Sequence, residues 1–226
     1  MSLPLPVGPR VDPTPAKLPG AITLQGRHGA IEKLDAARHG PSLWQAVRGH
    51  DAIWTYMAYG PFADQAAFAA WLAEREQLKD PCYYTVVDNT GRAVGVFTLL
   101  EIRPAMRAIE VGHIVFGAPL QRTPLATEAQ YLLAKYAFET LGYRRYEWKC
   151  NVLNEPSYNA ALRLGFSYEG LFRQHMIVKG HSRDTAWFAM LDSQWPSRKA
   201  AFERWLLPKN FGPDGLQRTK LAAGRD

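Results

Sequence analysis

AIEVGHIVFGAPLQRTPLATEAQYLLAKYAFETLGYRRYEWKCNVLNEPSYNAALRLGF, residues 108–166, reads as strand, loop, long helix, strand, loop and short helix. Thr123 suits a helix N-cap and Pro124 the first helical position. Leu125, Ala129, Leu132, Leu133, Tyr136 and Leu141 then recur at helical spacing until Gly142. Arg144–Asn151 is β-rich, so strand, helix and strand form one crossover, right-handed with parallel strands. The first loop ends where a helix begins, and free N–H groups there meet the positive end of the helix dipole. That is the making of a phosphate cradle. Asn154-Glu155-Pro156-Ser157 opens the second helix, which Gly165 closes.

Outward from this unit, Tyr83–Val87 and Arg92–Leu100 are β-rich runs joined by Asp88-Asn89-Thr90-Gly91, a hairpin turn. Arg103–Arg107 turns the chain into the strand 108–116, completing an antiparallel meander. Further upstream, Ala21–Leu24 reads as a short strand and His39–Ala58 as mainly helical, opened by Pro41-Ser42. Asp64 caps a clearer helix that Asp80-Pro81 stops. The aromatics of these early helices are core residues that could also wall a substrate cleft. Downstream, Phe166–Val178 and Asp184–Leu191 form a last hairpin, and Trp195–Leu207 a final helix. The expected fold is a single α/β (α+β) domain over 21–206, with a mixed central sheet, antiparallel N-terminal strands and one strand–helix–strand crossover. Residues 1–20, six of them proline, are expected to be a flexible lead, and 207–226 a flexible basic tail.

Composition narrows the function. At 47% apolar residues the chain can fill a sizeable core. No apolar run approaches the ~18 residues of a membrane span, and no apolar signal core precedes the fold, so a cytoplasmic location is expected. Two cysteines, Cys82 and Cys150, are too few for a disulfide framework or a four-ligand zinc site, and no spacing suggests any metal. The formal charge of +6 divides into +1 on residues 1–20, +2 on 207–226 and +3 on the body. This is too little for a polyanion-binding face, and an anionic cofactor would account for it.

The motif order now matters. NEPSYNAALRLGF is followed by SYEGLFR and then KGHSRDTAWFAML, and the whole resembles the GNAT acetyltransferases, in particular the branch of the ribosomal-protein N-terminal acetyltransferases. The short-helix motif corresponds to Asn154, Ser157, Arg163, Gly165 and Phe166. The branch's next residues correspond to Glu169, Gly170 and Arg173, then Gly180 and Asp184. The resemblance covers roughly residues 21–192. It implies a GNAT fold, acetyl-CoA as cosubstrate without a metal, and an acetyl group passed to a primary amine, either a protein N-terminus or a small molecule. Oligomeric state is not readable, and a homodimer stays open.

The implied CoA contacts are Val115, Phe116, Gln121, Arg122, Thr123, Ala126, Thr127, Asn154 and Ser157. One departure stands out: Pro124 takes the place of the first glycine of the family's pyrophosphate loop, and proline has no N–H to offer. Either Arg122 and Thr123 compensate, or a non-catalytic module remains. The chemistry needs a base for the amine, a donor for the thioester oxygen and a proton for the thiolate. Glu110 is the first choice for the base, with burial raising its pKa; His113 and Glu147 are the others. Strict alternation puts His113 on the opposite face from Glu110. The oxygen-facing segment is expected within His113–Phe116. Ser157 is the candidate acid, although serine at a helix start also caps, and Asn154 would bind pantetheine or shape its loop. His175 and His181 flank the last hairpin and are expected to be bystanders.

Overall fold

The computed structural model describes residues 5–224; positions 1–4 of the expected lead and 225–226 of the expected tail lie outside the described residues. Eight strands form one sheet: β1 (Thr23–Gln25), β2 (Gly29–Lys33), β3 (Cys82–Asp88), β4 (Ala93–Arg103), β5 (Ala108–Phe116), β6 (Arg145–Asn151), β7 (Ser167–Val178) and β8 (His181–Leu191). Their spatial order is β1-β2-β3-β4-β5-β6-β8-β7, and every neighbouring pair is antiparallel except β5–β6. The expected meander and single parallel crossover are therefore both present.

Five helices flank the sheet: α1 (Ala36–Val47), α2 (Gln65–Glu76), α3 (Pro124–Lys135), α4 (Glu155–Arg163) and α5 (Trp195–Trp205). Short polar side chains start four of them. Asp35, Asp64, Thr123 and Asn154 accept the N–H of Arg38, Ala67, Ala126 and Ser157 at 2.9, 2.8, 3.2 and 3.2 Å. Each such cap satisfies one of the donors that a helix start leaves free. A π-helical turn, Tyr136–Thr140, extends α3 to Gly142, whose φ of +80° ends it.

The two faces of the sheet bury different clusters. One face packs α3, α4 and α5 around Phe97, Ile109, Val111, Trp148, Phe166 and Phe188. The other packs α1 and α2 around Tyr83, Val96 and Val115, with Trp54, Phe68 and Trp71 at its centre. That second cluster includes no residue of β6, β8 or β7. The helices cover only the N-terminal half of this face, and polar groups of the C-terminal half look out beside them.

Several expectations change. Helix α1 begins at Ala36 rather than at Pro41-Ser42, and Pro41 lies inside it. Asp35 supplied an equally good cap upstream, and Pro41 forfeits one backbone hydrogen bond. Strand β2, GAIEK, was not anticipated; only Ala30 and Ile31 in it are apolar, and its pairing with β3 through Ile31↔Val86 holds it in the sheet. The segment after 206, expected to be a loose tail, lies against the body, with Leu221 and Ala223 buried in the larger core. Asn210 ties this segment down: its side chain donates to the carbonyls of Trp205 and Thr219 and accepts the Thr219 N–H. The lead is tethered from residue 16, where the N–H groups of Ala16 and Lys17 donate to the carbonyls of Pro104 and Leu141.

Candidate active site

Strands β5 and β6 pair only at their first residues, from Ala108↔Arg145 to Val111↔Trp148. Beyond that point Gly112–Phe116 and Lys149–Asn151 part, opening a gap at the carboxyl ends of two parallel strands. In α/β sheets this is where ligands bind. Helix α3 starts beside one lip of the gap and α4 beside the other.

A β-bulge lies on the β5 lip. Thr98 pairs with Gly112 but Val96 pairs with Val115, so β5 holds one residue more than β4 across this interval. His113 takes the extra turn, with φ at +48°. The bulge resets the alternation and overturns the expected parity: Glu110, Gly112 and Val115 share one face, and His113 joins them there. The His113 ring stacks on Tyr59 at 5.7 Å between centroids, and its Nδ1 is 2.9 Å from the Tyr59 hydroxyl. Burial, with help from Arg75 and Arg183, lowers its pKa to about 4, so the imidazole is neutral near pH 7.

Glu110 is buried, and its Oε2 receives the Lys149 ammonium at 2.7 Å. Burial outweighs that cation and raises its pKa to about 7. Lys149 is itself held 3.8 Å above the Trp187 ring. Gly112 leaves space next to the carboxylate, since a Cβ there would come within 2.9 Å of Leu100 Cδ2 and 3.4 Å of Glu110 Oε1. Glu147, the other acidic candidate, is bound by Arg103 and Arg145 at 2.6 Å each. Its hydrogen bonds and these cations lower its pKa despite burial. It is a structural carboxylate.

Ser157 lies on the opposite face. Its Oγ accepts the Trp148 indole N–H at 3.1 Å, and its N–H is capped by Asn154. It also neighbours the Cys150 thiol, whose pKa burial raises. Asn154 is thus engaged as a cap. Glu110 and Ser157 flank the gap from its two sides.

The loop before α3 resolves the Pro124 departure. Pro124 sits at the first helical position, where its missing N–H costs no helix hydrogen bond. The left-handed residue of the loop is Arg122, with φ at +61°, so the turn that glycine would ease is made two residues earlier. The N–H groups of Gln121 and Thr123 donate to the carbonyls of Gly117 and Leu120 within the loop, so it is the start of α3, with the positive end of its dipole and the Arg122 side chain beside it, that favours an anion here. The residues present fit a pyrophosphate. Gln121 is exposed and supports the loop: its amide donates to the Phe116 carbonyl at 2.8 Å. Thr123 Oγ1 is spent on capping, and Thr127 is buried, accepting from Arg163 at 3.1 Å. Val115 is buried toward α1 and α2, and the Phe116 ring packs on Phe97. These two, like Ala126, would serve a ligand by backbone alone.

The α1–α2 loop and the β7–β8 turn close over the site. Tyr56 hydroxyl donates to the Leu153 carbonyl at 2.8 Å, and Lys179 donates to the carbonyls of Trp54 and Gly60 at 3.0 and 2.6 Å. Sequence reasoning counted Tyr59 among aromatics that could wall a cleft, but missed Lys149 as part of the site and the face on which His113 lies. The glycine inside strand β5, a common mark of a bulge, was the available signal for His113.

The comparisons with known proteins agree with this architecture. Residues 31–167 match the family described as Acetyltransferase (GNAT) domain. The chain belongs to the GNAT acetyltransferase family. A GCN5-related N-acetyltransferase from Brucella melitensis is 44% identical, covering 92% of this chain and 96% of that one with a TM-score of 0.90. A GNAT-family structure from Chromobacterium violaceum, described as a probable acetyltransferase, is 42% identical over 86% of this chain and 96% of that one, TM-score 0.76. In Bacillus subtilis (strain 168) the protein named "Putative ribosomal N-acetyltransferase YdaF" is 28% identical over 109 residues, 48% of this chain. The match spans 59% of that relative's length. Among the described residues this GNAT chain has no helix long and apolar enough to cross a membrane and no cluster of metal-ligating side chains.

Proposed function

We propose that the protein is an acetyl-CoA-dependent N-acetyltransferase that passes the acetyl group to a primary amine by direct attack on the thioester, acting in the cytoplasm. The observation that carries this reading is the placement of Glu110 and Ser157 on opposite faces of the sheet, on either side of the β5–β6 gap. Only a ligand threaded through the gap meets both. The unpaired edges of β5 and β6 suit an extended amide chain such as pantetheine, which can bond to them as a further strand would. The Arg122–Ala126 turn suits its pyrophosphate.

In this reading the amine approaches from the α1–α2 side. Glu110, with its pKa near neutrality, takes the ammonium proton directly or through a water. N–H groups of the His113–Phe116 segment stabilise the charge that develops on the carbonyl oxygen. On the other side the Ser157 hydroxyl, oriented by Trp148, stands ready to donate to the departing thiolate. Lys149 keeps Glu110 ionisable despite its burial.

The test is direct. Acetyl-CoA and CoA should each raise the melting temperature, by an amount that grows with ligand concentration, and a panel of primary amines should release CoA from acetyl-CoA. Absence of any thermal shift would remove the cofactor from the account. Binding without CoA release from any amine would leave a CoA-binding module without catalysis.

A further inference from the structure

Several cations of this protein are matched by carboxylates. Arg92, Arg103, Arg145, Lys149 and Lys199 each lie between 2.5 and 3.3 Å from one, and Arg38 reaches Glu32. Two guanidinium groups beside the gap differ. Arg183 on β8 donates from Nε to Thr185 Oγ1 at 3.1 Å and has no carboxylate within ion-pair distance among the described residues. Arg75, in the last turn of α2, has a buried Nε with no partner; its one nearby acid is the solvent-exposed Glu74, at 3.9 Å.

These two arginines come from opposite walls of the same site. The ladder places Arg183 on the same face of the sheet as Lys149 and Trp187, through Asn151↔Thr185 and Lys149↔Trp187. It is the face that α1 and α2 leave partly open. Arg75 lies 5.9 Å from the Trp71 ring, Trp71 packs on Tyr59 at 4.8 Å, and Tyr59 stacks on His113 at 5.7 Å, which links this guanidinium to the β5 lip of the gap; the fields of both arginines help to lower the His113 pKa. Lys149 and Glu110 satisfy each other, and Lys179 is occupied by two carbonyls. The surplus on the acceptor side of the gap is therefore positive and consists of half-buried guanidinium, the group that best grips a carboxylate or phosphate.

We infer that the acceptor is an amine carrying its own anionic group, carboxylate or phosphate, gripped by Arg183 with Arg75 behind it. This rests on the acetyltransferase reading and specifies its substrate class. A polycationic amine would meet repulsion here. An amino-acid-like acceptor would neutralise the arginines and present its nitrogen to Glu110, with the remaining positive field favouring the uncharged amine that must attack.

The experiment compares matched acceptors with acetyl-CoA: an α-amino acid, its amide, its decarboxylated amine and an aminoalkyl phosphate. In the parent protein, kcat/KM for the anionic acceptors should exceed that for the neutral ones by tenfold or more. Arg183→Met should abolish the preference, chiefly through KM, and Arg183→Lys should restore part of it. In parallel, calorimetry with CoA present should show the N-acetylated amino acid binding more tightly than its amide, a readout independent of turnover. Equal kcat/KM across the four acceptors, a preference that survives in Arg183→Met, or equal binding of the two products would overturn the inference. CoA binding retained alongside such a flat profile would spare the acetyltransferase reading; loss of CoA binding would overturn both.

Discussion

Glu110 is subject to two opposing influences, burial that raises its pKa and the Lys149 ammonium that lowers it, with burial the larger. Because the folded state holds this proton more tightly than the unfolded chain, the group's contribution to stability declines as pH rises from about 4.5 to about 7. If Glu110 is the base, activity runs the other way and rises through the same region. Lys149→Met should therefore move the ascending limb of kcat/KM to higher pH by about one unit or more, since removing a cation at this range disfavours the carboxylate. A pH profile of that variant checks it; an unmoved limb would separate Glu110 from the rate. Glu110 was legible in the sequence as an acid in an apolar strand. The position of His113 was not, because period-two alternation assumes a regular ladder and the bulge inserts a residue. Nor was Lys149, whose role depends on a neighbouring strand, 39 residues further along, arriving in register at Glu110↔Glu147.

The elements were read well wherever a cap and a period agreed. Asp64, Thr123 and Asn154 mark three helix starts in the sequence and cap them in the structure. Misreadings came where two local signals competed, as with Asp35 and Pro41-Ser42, or where no local signal existed, as with β2, which depends on β3. The loop before α3 belongs to this scale, because Arg122 combines a strained conformation with a charge. Arg122→Gly removes the guanidinium and eases the backbone, for which a left-handed residue other than glycine costs roughly 1 kcal/mol. Its expected outcome is equal or greater resistance to denaturant with weaker CoA affinity in calorimetry. Unchanged affinity would assign the phosphate grip to backbone groups alone.

Across the whole molecule, the antiparallel meander and the parallel crossover were legible in the order of elements, but the full sheet order was not, because β2 was unread and β8 rather than β7 lies beside β6. The behaviour of the chain ends was not predictable. PKNFGPDGLQRTKLAAG carries the composition of a loose tail, yet Leu221 and Ala223 are buried against the α4–α5 side. Two apolar residues among polar ones give no periodic signal, and the Asn210 side chain that bonds this segment to Trp205 and Thr219 is not a pattern a sequence displays. Asn210→Ala removes three hydrogen bonds at a buried position and should cost about 1–3 kcal/mol in equilibrium unfolding. A stability within about 0.5 kcal/mol of the parent would mean that this segment does not support the fold.

The most direct test of the central claim is the pH dependence of acetyl transfer from acetyl-CoA in the parent and in Glu110→Gln, with CoA affinity measured alongside. The account predicts an ascending limb with an apparent pKa near 7 in the parent. It predicts a loss of about 10²-fold or more in kcat/KM in the variant, with the limb gone and CoA binding intact. A Glu110→Gln enzyme that kept the parent's rate and profile would contradict it.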